Sequence, residues 1–296
     1  MSIDPLLSES NSLVPFALQH LAGMDRQRLL ATLTQPRSGE IEKFFGQPPD
    51  HATQARFTGL SSEQTFQQAL TYLEVCADSA KRNSLPLAPK QGVALDVGCG
   101  WGRVTQLLKM FFEVDRLHGV DVMEQALDLC AKSGIRAHWH HTHFWPPSGF
   151  KDESVDRIFA YSVFSHLSED NSDAWVREFQ RILRPGGIAF LTTRHPSFFS
   201  YLQQLKKDRA NLPEFARGAA AAFDDLPKYL DRFEKGEFCF DPMGSGGNGL
   251  TAVYGEAVIP PDYVRSRWGK YFSHTEYIDP PGRGYFDQST IVLIKR

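Results

Sequence analysis

The stretch ALDVGCGWGRV, Ala94 to Val104, decides how the rest of this chain reads. An apolar run halts at an acid, Asp96, and glycines follow at alternate positions: Gly98, Gly100 and Gly102. Glycine lacks a Cβ, so a turn this bare lets a ligand lie against its main chain. In open α/β sheets ligands collect beyond the carboxyl ends of the strands, where strand order reverses. The turn after the first strand lies there.

Two kinds of ligand compete for such a turn. A dinucleotide brings a pyrophosphate, which needs the bare N–H groups of a helix N-terminus. Its usual spacing is G-x-G-x-x-G, whereas this chain has G-x-G-x-G with Asp96 two residues before the first glycine. A carboxylate there repels a pyrophosphate. S-adenosylmethionine has no phosphate and carries an ammonium and a sulfonium, which an acid beside the turn attracts. A second acid, Asp121 in HGVDVM, falls 21 residues after Gly100. At the end of a second strand it can accept both ribose hydroxyls; the plainer alternative is a turn former at a strand end.

Outward from this stretch the pattern alternates. VALDVG is a short strand, and Val104, Leu107, Leu108 and Phe111 then form a helical stripe. RLHGVDV, IRAHWHHT and SVDRIFAYSVF read as strands, with a short helix over Met123 to Lys132. Asp173 to Arg184 reads as a helix, RPGG as its stop and tight turn, and IAFLTT as a fifth strand. Strands alternating with helices predict a parallel sheet covered on both faces. SHTEYI and QSTIVLIKR, joined by DPPGRG, predict an antiparallel terminal hairpin.

Before Val93 the chain reads as helical. Ser61 and Gln64 fit a capping box, and Phe66, Leu70, Leu73, Ala77 and Ala80 share one helical face. NSLPLAPKQG then serves as a linker. After Thr193 come about 55 residues of mixed character, including GAAAAF and MGSGGNGL, then strand-like TAVYGEAVI and a short helix in PPDYVRSRWGKYF.

The chain has 296 residues, 42% hydrophobic and 23% charged, with a net charge of -3. That is enough for one large domain with an appendage. No broad basic field draws it onto nucleic acid or an anionic membrane. Its four cysteines are widely spaced, with no C-x-x-C pair, so reduced thiols in a cytoplasmic protein are expected. The N-terminus does not read as a signal peptide, and no apolar run approaches the ~18 residues of a membrane span.

The quoted segments LDVGCGWGR, GVDV, VDRIFAYSVFSHL and REFQRILRPGGIAFLTT together resemble the successive motifs of class I S-adenosylmethionine-dependent methyltransferases, over about Leu95 to Thr193. The terminal hairpin resembles strands 6 and 7 of that fold. The order of motifs is most similar to enzymes acting on small molecules or sugars. The resemblance implies an α/β, Rossmann-like, seven-stranded sheet with an antiparallel C-terminal hairpin. It implies S-adenosyl-L-methionine as cofactor. By position, Asp96 would face the methionine ammonium, Gly98, Cys99 and Gly100 would give main-chain contacts, and Trp101 would cover the methionine portion. Asp121 would hold the ribose, Val122 would pack on adenine, and Tyr161 would mark where donor and acceptor meet. Relatives often place an acid after strand 3; here HWHHTHFWPP has none, and His141 or Thr142 falls nearest that slot.

His138, His140, His141 and His143 invite a metal reading, but a strand would split them between two faces, and no metal is expected. His166, after strand 4, and His195, after strand 5, are the candidate acid–base groups, each with a structural alternative. Tyr254, Glu256 and His274 are weaker candidates. Phe198, Phe199 and Tyr201 could line an acceptor pocket or form plain core.

The expected organisation is a helical N-terminal extension over 1–90, acting as a lid, and a methyltransferase domain over 91–296 with an acceptor-side insertion at 196–250. The expected activity is methyl transfer to a small-molecule or sugar acceptor, at a hydroxyl oxygen. Nitrogen, carbon or macromolecular acceptors remain open, as does a nucleoside-binding or assembly protein without turnover.

Overall fold

The computed structural model describes residues 14–21, 23–207, 220–242, 252–280, 282 and 288–295. MGSGGNGL, the start of GAAAAF and half of the DPPGRG turn lie outside them. Five helices open the described chain: α1 (Pro15–His20), α2 (Arg26–Thr34), α3 (Gly39–Phe45), α4 (His51–Thr58) and α5 (Ser62–Arg82). The sheet follows in the expected alternation: β1 (Ala94–Val97), α6 (Arg103–Leu108), β2 (Leu117–Asp121), α7 (Glu124–Lys132), β3 (His138–His141), β4 (Val155–Ala160), α8 (Glu169–Ile182) and β5 (Leu183–Arg194). Then come α9 (Ser197–Lys207), α10 (Leu226–Glu234), β6 (Cys239–Asp241), β7 (Glu256–Val258), α11 (Pro261–Arg267), β8 (His274–Ile278) and β9 (Gln288–Ile294).

Seven strands form one sheet in the order β3-β2-β1-β4-β5-β9-β8. The first five run parallel, while β9 is antiparallel to both β5 and β8, as the terminal hairpin predicts. Strand order reverses between β1 and β4, so the glycine turn after β1 opens at the switch point.

Period-two alternation divides the core between the two faces. Phe159 and Phe190 point to the side covered by α5 and the N-terminal helices. Their neighbours Ile158, Ala160, Ala189 and Leu191 point to the side covered by α8 and α11. Phe66, Leu70 and Leu73 of α5 are fully buried. Each such side chain contributes roughly 1.5–3 kcal/mol of transfer free energy, which fixes the N-terminal helices to the sheet. Tyr72 ties the same helix to β5, its hydroxyl donating to the Phe190 carbonyl at 2.8 Å.

Local chemistry fills in what the sequence left open. Ser61 makes no side-chain cap; the N–H of Ser62 instead donates to Gln54 Oε1 at 2.8 Å, so α4 caps α5. RPGG stops α8 and turns at Gly186 (φ +79°), and the turn is taken up in the irregular start of β5, as a register shift against β4. Phe198 and Phe199 form a third core with Phe223, Cys239 and Val258, the plain-core alternative of the sequence reading. The segment after β5 also contributes β6, which pairs with β7 as a separate two-stranded sheet that sequence periodicity did not show.

Candidate active site

A cavity of about 220 Å³ opens at the carboxyl ends of β1, β2 and β4. Its lining includes Asp96, Gly98, Cys99, Gly100, Trp101, Asp121, Val122, Thr142, Tyr161 and His166. Ten of the twelve candidate residues are thereby brought to one space. His141 and His195 are not among them.

The glycine turn is bonded internally. Gly98 and Cys99 N–H groups both donate to the Val120 carbonyl, at 2.8 and 3.1 Å. The Gly100 N–H donates to Asp121 Oδ2 at 2.8 Å, and Asp121 Oδ1 accepts from the Met123 N–H at 2.9 Å. Asp96 Oδ2 accepts from the Thr105 hydroxyl at 2.5 Å and also faces the Thr105 N–H, in the first turn of α6. An incoming pyrophosphate would need those N–H groups, and carboxylates and a carbonyl already hold them. The expected main-chain contacts of Gly98, Cys99 and Gly100 therefore cannot be free N–H donors; their Cα and carbonyl faces remain. Gly98 adopts φ +66°, and a Cβ there would stand 2.5 Å from Val163 Cγ2, so only glycine lets the loop after β4 close on the turn.

Electrostatics at this end is negative. Burial raises the Asp96 carboxyl to about 7, against the opposing hydrogen bond from Thr105 and the charge of Arg103. Burial also raises Asp121, against the N–H groups of Met123 and Gly100. Two carboxyls held above their ordinary range, facing one cavity, suit a cationic or diol-bearing ligand. Arg103 is the one arginine or lysine in the described lining. Its guanidinium turns to α5, bonding Gln68 Oε1 at 2.8 Å and Thr65 Oγ1 at 3.2 Å, and lies 4.8 Å from the centre of the Tyr161 ring.

Past β3, Thr142 is buried against the cavity, its N–H donating to the Asp121 carbonyl at 3.0 Å. His141 points away, exposed, with Nε2 3.1 Å from the Val122 carbonyl. His143 and Phe144 border the cavity in its place. His138 and His140 stack against His118 of β2, with ring centroids at 5.0 and 5.3 Å.

The two candidate bases separate. His166 is half-buried and lines the cavity; Nδ1 lies 2.8 Å from the Gly255 carbonyl, which leaves Nε2 as the other ring nitrogen. Burial lowers its pKa, so the imidazole is neutral near pH 7. His195 caps a helix. Its Nδ1 accepts from the Ser197 N–H at 3.1 Å and meets the Ser197 hydroxyl at 2.7 Å, at the start of α9. Capping α9 holds it outside the cavity lining.

Of the further lining residues the sequence reading named only Tyr254, as a weaker candidate. Phe57 and Thr58 come from α4, and Val163, Phe164 and Trp175 from the loop after β4 and from α8. Tyr254 arrives from the far side of the insertion and stacks on His166, centroids 5.2 Å apart and 15° between planes. Ser162 occupies φ +59°; its N–H donates to Thr192 Oγ1 at 2.7 Å, and its hydroxyl accepts from Gln288 Nε2 at 2.9 Å.

A glycine turn with spent N–H groups, two buried acids and a switch-point cavity define a nucleoside-type site in a Rossmann-like sheet. Residues 94–187 match the family described as Methyltransferase domain. Over 102 residues the chain is 29% identical to malonyl-[acyl-carrier protein] O-methyltransferase of Hahella chejuensis, a stretch covering 33% of this chain and 35% of that protein. The chain thus spans about a third of the length of this curated relative. Among solved structures, a chain from the complex of the Haloferax volcanii Trm112 methyltransferase activator with a methyltransferase superposes with a TM-score of 0.49. It shares 13% identity, over 83% of this chain and 95% of that one. An S-adenosylmethionine-dependent methyltransferase from Mesorhizobium loti superposes with a TM-score of 0.43 at 14% identity, over 73% and 96% of the two chains. Among the described residues no helix is long and apolar enough to cross a membrane, and no group of three ligating side chains could hold a metal ion.

Proposed function

We propose that this chain transfers a methyl group from S-adenosylmethionine to a hydroxyl oxygen of a small-molecule or sugar acceptor. The observation that carries the donor is the glycine turn, which has two facing acids and no unbonded N–H at Gly98, Cys99 or Gly100. Asp96 holds the ammonium end, Trp101 and Tyr161 wall the methionine portion, and Asp121 accepts the ribose hydroxyls. Val122 and Met123 pack on one side of the adenine, and Thr142, not His141, occupies the slot beside it.

When bound, the donor supplies a methyl carbon made electrophilic by its sulfonium. The protein's work is alignment and proton removal. Ser162 and Val163 bring the loop after β4 against the turn, and Phe57 and Thr58 close it from the N-terminal side, excluding water. Phe57 and Thr58 of the N-terminal helices and Tyr254, past the segment that follows β5, enclose the acceptor side in this reading. His166 presents a neutral imidazole at the edge of the cavity, where it takes the hydroxyl proton as the oxygen attacks. The small, largely apolar lining, with Arg103 committed to α5, favours a small acceptor over a nucleic acid, whose phosphates need accessible cations.

The test is binding followed by turnover. Calorimetric titration should show S-adenosylhomocysteine binding while NAD and FAD do not bind. Labelled methyl donor incubated with a panel of hydroxylated metabolites should then yield a labelled ether. Uptake of a dinucleotide with indifference to S-adenosylhomocysteine would overturn the reading. Binding without transfer to any acceptor would leave a nucleoside-binding protein instead.

A further inference from the structure

The acceptor side of the cavity is assembled from two segments about 90 residues apart. The loop after β4 runs antiparallel to the segment leading into β7. The Ser168 N–H donates to the Val253 carbonyl at 3.0 Å, the Gly255 N–H to the His166 carbonyl at 2.8 Å, and the Ala257 N–H to the Ser165 carbonyl at 2.8 Å. Alternate residues of that returning segment face the histidine. Tyr254 stacks on its ring, and Glu256 Oε1 stands 3.7 Å from its Nδ1. Glu256 is itself buried and gripped by Arg194 at the end of β5, Nε to Oε2 at 3.0 Å. Arg194 in turn lies 4.6 Å from the centre of the Phe198 ring, so the third core anchors the arrangement.

This geometry fixes a tautomer. Nδ1 faces a carbonyl and a carboxylate, both acceptors, so it carries the hydrogen. Nε2 is then the lone-pair nitrogen. A buried carboxylate behind a neutral imidazole contributes little until the ring takes a proton, and it then steadies the cation. An acceptor that is already ionised gains nothing from such an arrangement. A carboxylate acceptor would also meet Asp96 and Asp121 around the same space.

We infer that Glu256, clamped by Arg194, is a positioning residue for His166, and that the acceptor is a neutral, protonated hydroxyl, not a carboxylate. The inference rests on the methyltransferase reading for its reaction but not for its first test. In the step, the hydroxyl oxygen's lone pair forms the new C–O bond to the methyl carbon. The bonding pair of the S–CH₃ bond stays with sulfur, and the hydroxyl proton passes to His166 Nε2. The imidazolium then releases that proton to solvent. The groups facing His166 are Glu256, Arg194, Tyr254 and the Gly255 carbonyl.

The first test needs no substrate. Protein labelled with ¹⁵N in its imidazoles is titrated by NMR, with the His166 signals assigned through His166→Asn. The wild type should show hydrogen on Nδ1 and a bare Nε2 at pH 7.5. In Glu256→Gln, an isosteric change that leaves an oxygen for Arg194, the His166 midpoint should fall by half a pH unit or more; Glu256→Asp should restore most of it. A midpoint that stays put in folded Glu256→Gln protein, or hydrogen on Nε2, overturns the positioning role. Folding is checked by S-adenosylhomocysteine titration; if the wild type itself does not bind that ligand, the methyltransferase reading fails separately. The second test offers labelled donor with alcohols, phenols and carboxylic acids. Transfer to hydroxyls is expected, with an acid limb that follows the His166 midpoint downward in Glu256→Gln. Transfer to carboxylic acids alone overturns the acceptor class.

Discussion

Replacing Asp96 with asparagine should stabilise the protein at alkaline pH while weakening ligand binding. Asp96 is 2% exposed, and burial raises its carboxyl from the ordinary 3.8 to about 7. Between those values the folded protein keeps a proton that the unfolded chain has lost. Its contribution to stability is therefore fully present below the unfolded value and falls as pH rises through about 7. At about 1.4 kcal/mol per pH unit, the ionised carboxylate costs the fold on the order of 4 kcal/mol above that pH. Asparagine carries no charge and keeps one oxygen to accept from Thr105, so most of that cost disappears. Urea unfolding of Asp96→Asn and wild type should give a gap that widens from pH 5 to pH 8, reaching about 2 kcal/mol or more after imperfect amide hydrogen bonding is allowed for. The ligand sees the reverse. An ammonium group binds the ionised form, so wild-type affinity for S-adenosylhomocysteine should rise with pH up to about 7, by no more than tenfold per unit, and then level. Asp121, also raised by burial, acts in the same direction. The variant should bind more weakly and with less pH dependence. An Asp96→Asn protein less stable than wild type at pH 8, or wild-type affinity indifferent to pH between 6 and 8, would refute the argument.

Gly98→Ala places a Cβ 2.5 Å from Val163 at φ +66°; it should cost about 1–2 kcal/mol of backbone strain and abolish S-adenosylhomocysteine binding, as measured by thermal shift with and without ligand. His195→Ala removes a helix cap, so unfolding should show a loss of about 1 kcal/mol, with methyl transfer changed less than threefold; a tenfold loss of turnover would return His195 to the chemistry. His118 is held down to about 4 by burial and by His140 and His138. Stability it contributes is thus complete above its ordinary 6.5 and is lost as pH falls toward 4. His118→Gln should flatten the acid limb of the denaturation profile between pH 6.5 and 4.5.

The glycine-turn half of the cavity was legible because it is local in sequence. Asp96, Gly98, Gly100 and Asp121 come from two adjacent parallel strands and their turns, where strand ends and glycine spacing fix position. Thr142 and Tyr161 follow from the ends of β3 and β4 by the same logic. His141 failed because register decides which side chain leaves a strand inward, and a one-residue choice reverses the face. His195 failed for a different reason. Lying at the correct edge of the sheet does not say where a ring points, and a helix beginning two residues later claimed its nitrogen. The half of the cavity around His166 was illegible because it is non-local. Tyr254 and Glu256 reach His166 only through a backbone ladder between loops, and Phe57 reaches Gly100 only because α5 docks its helix against the sheet. No periodicity within either segment encodes such a meeting.

The two halves also obey opposite electrostatic rules. At the turn, every recorded N–H of Gly98, Cys99 and Gly100 is consumed by the protein, so the surface offered to a ligand is carbonyl and carboxylate. Such a surface repels phosphate and rewards positive charge, and Asp96 can be kept neutral until a cation arrives. At the acceptor side, the charge of Glu256 is already balanced by Arg194, and the imidazole before them is neutral. Positive charge is thus drawn to one end, while at the other a proton taken up by the imidazole sits 3.7 Å from the Glu256 carboxylate, with Arg194 opposing it. That is the polarity required to remove a proton from a neutral nucleophile beside a cationic donor. A dinucleotide site would need the opposite at the turn, and a carboxylate-methylating site would need neither the imidazole nor the acid behind it.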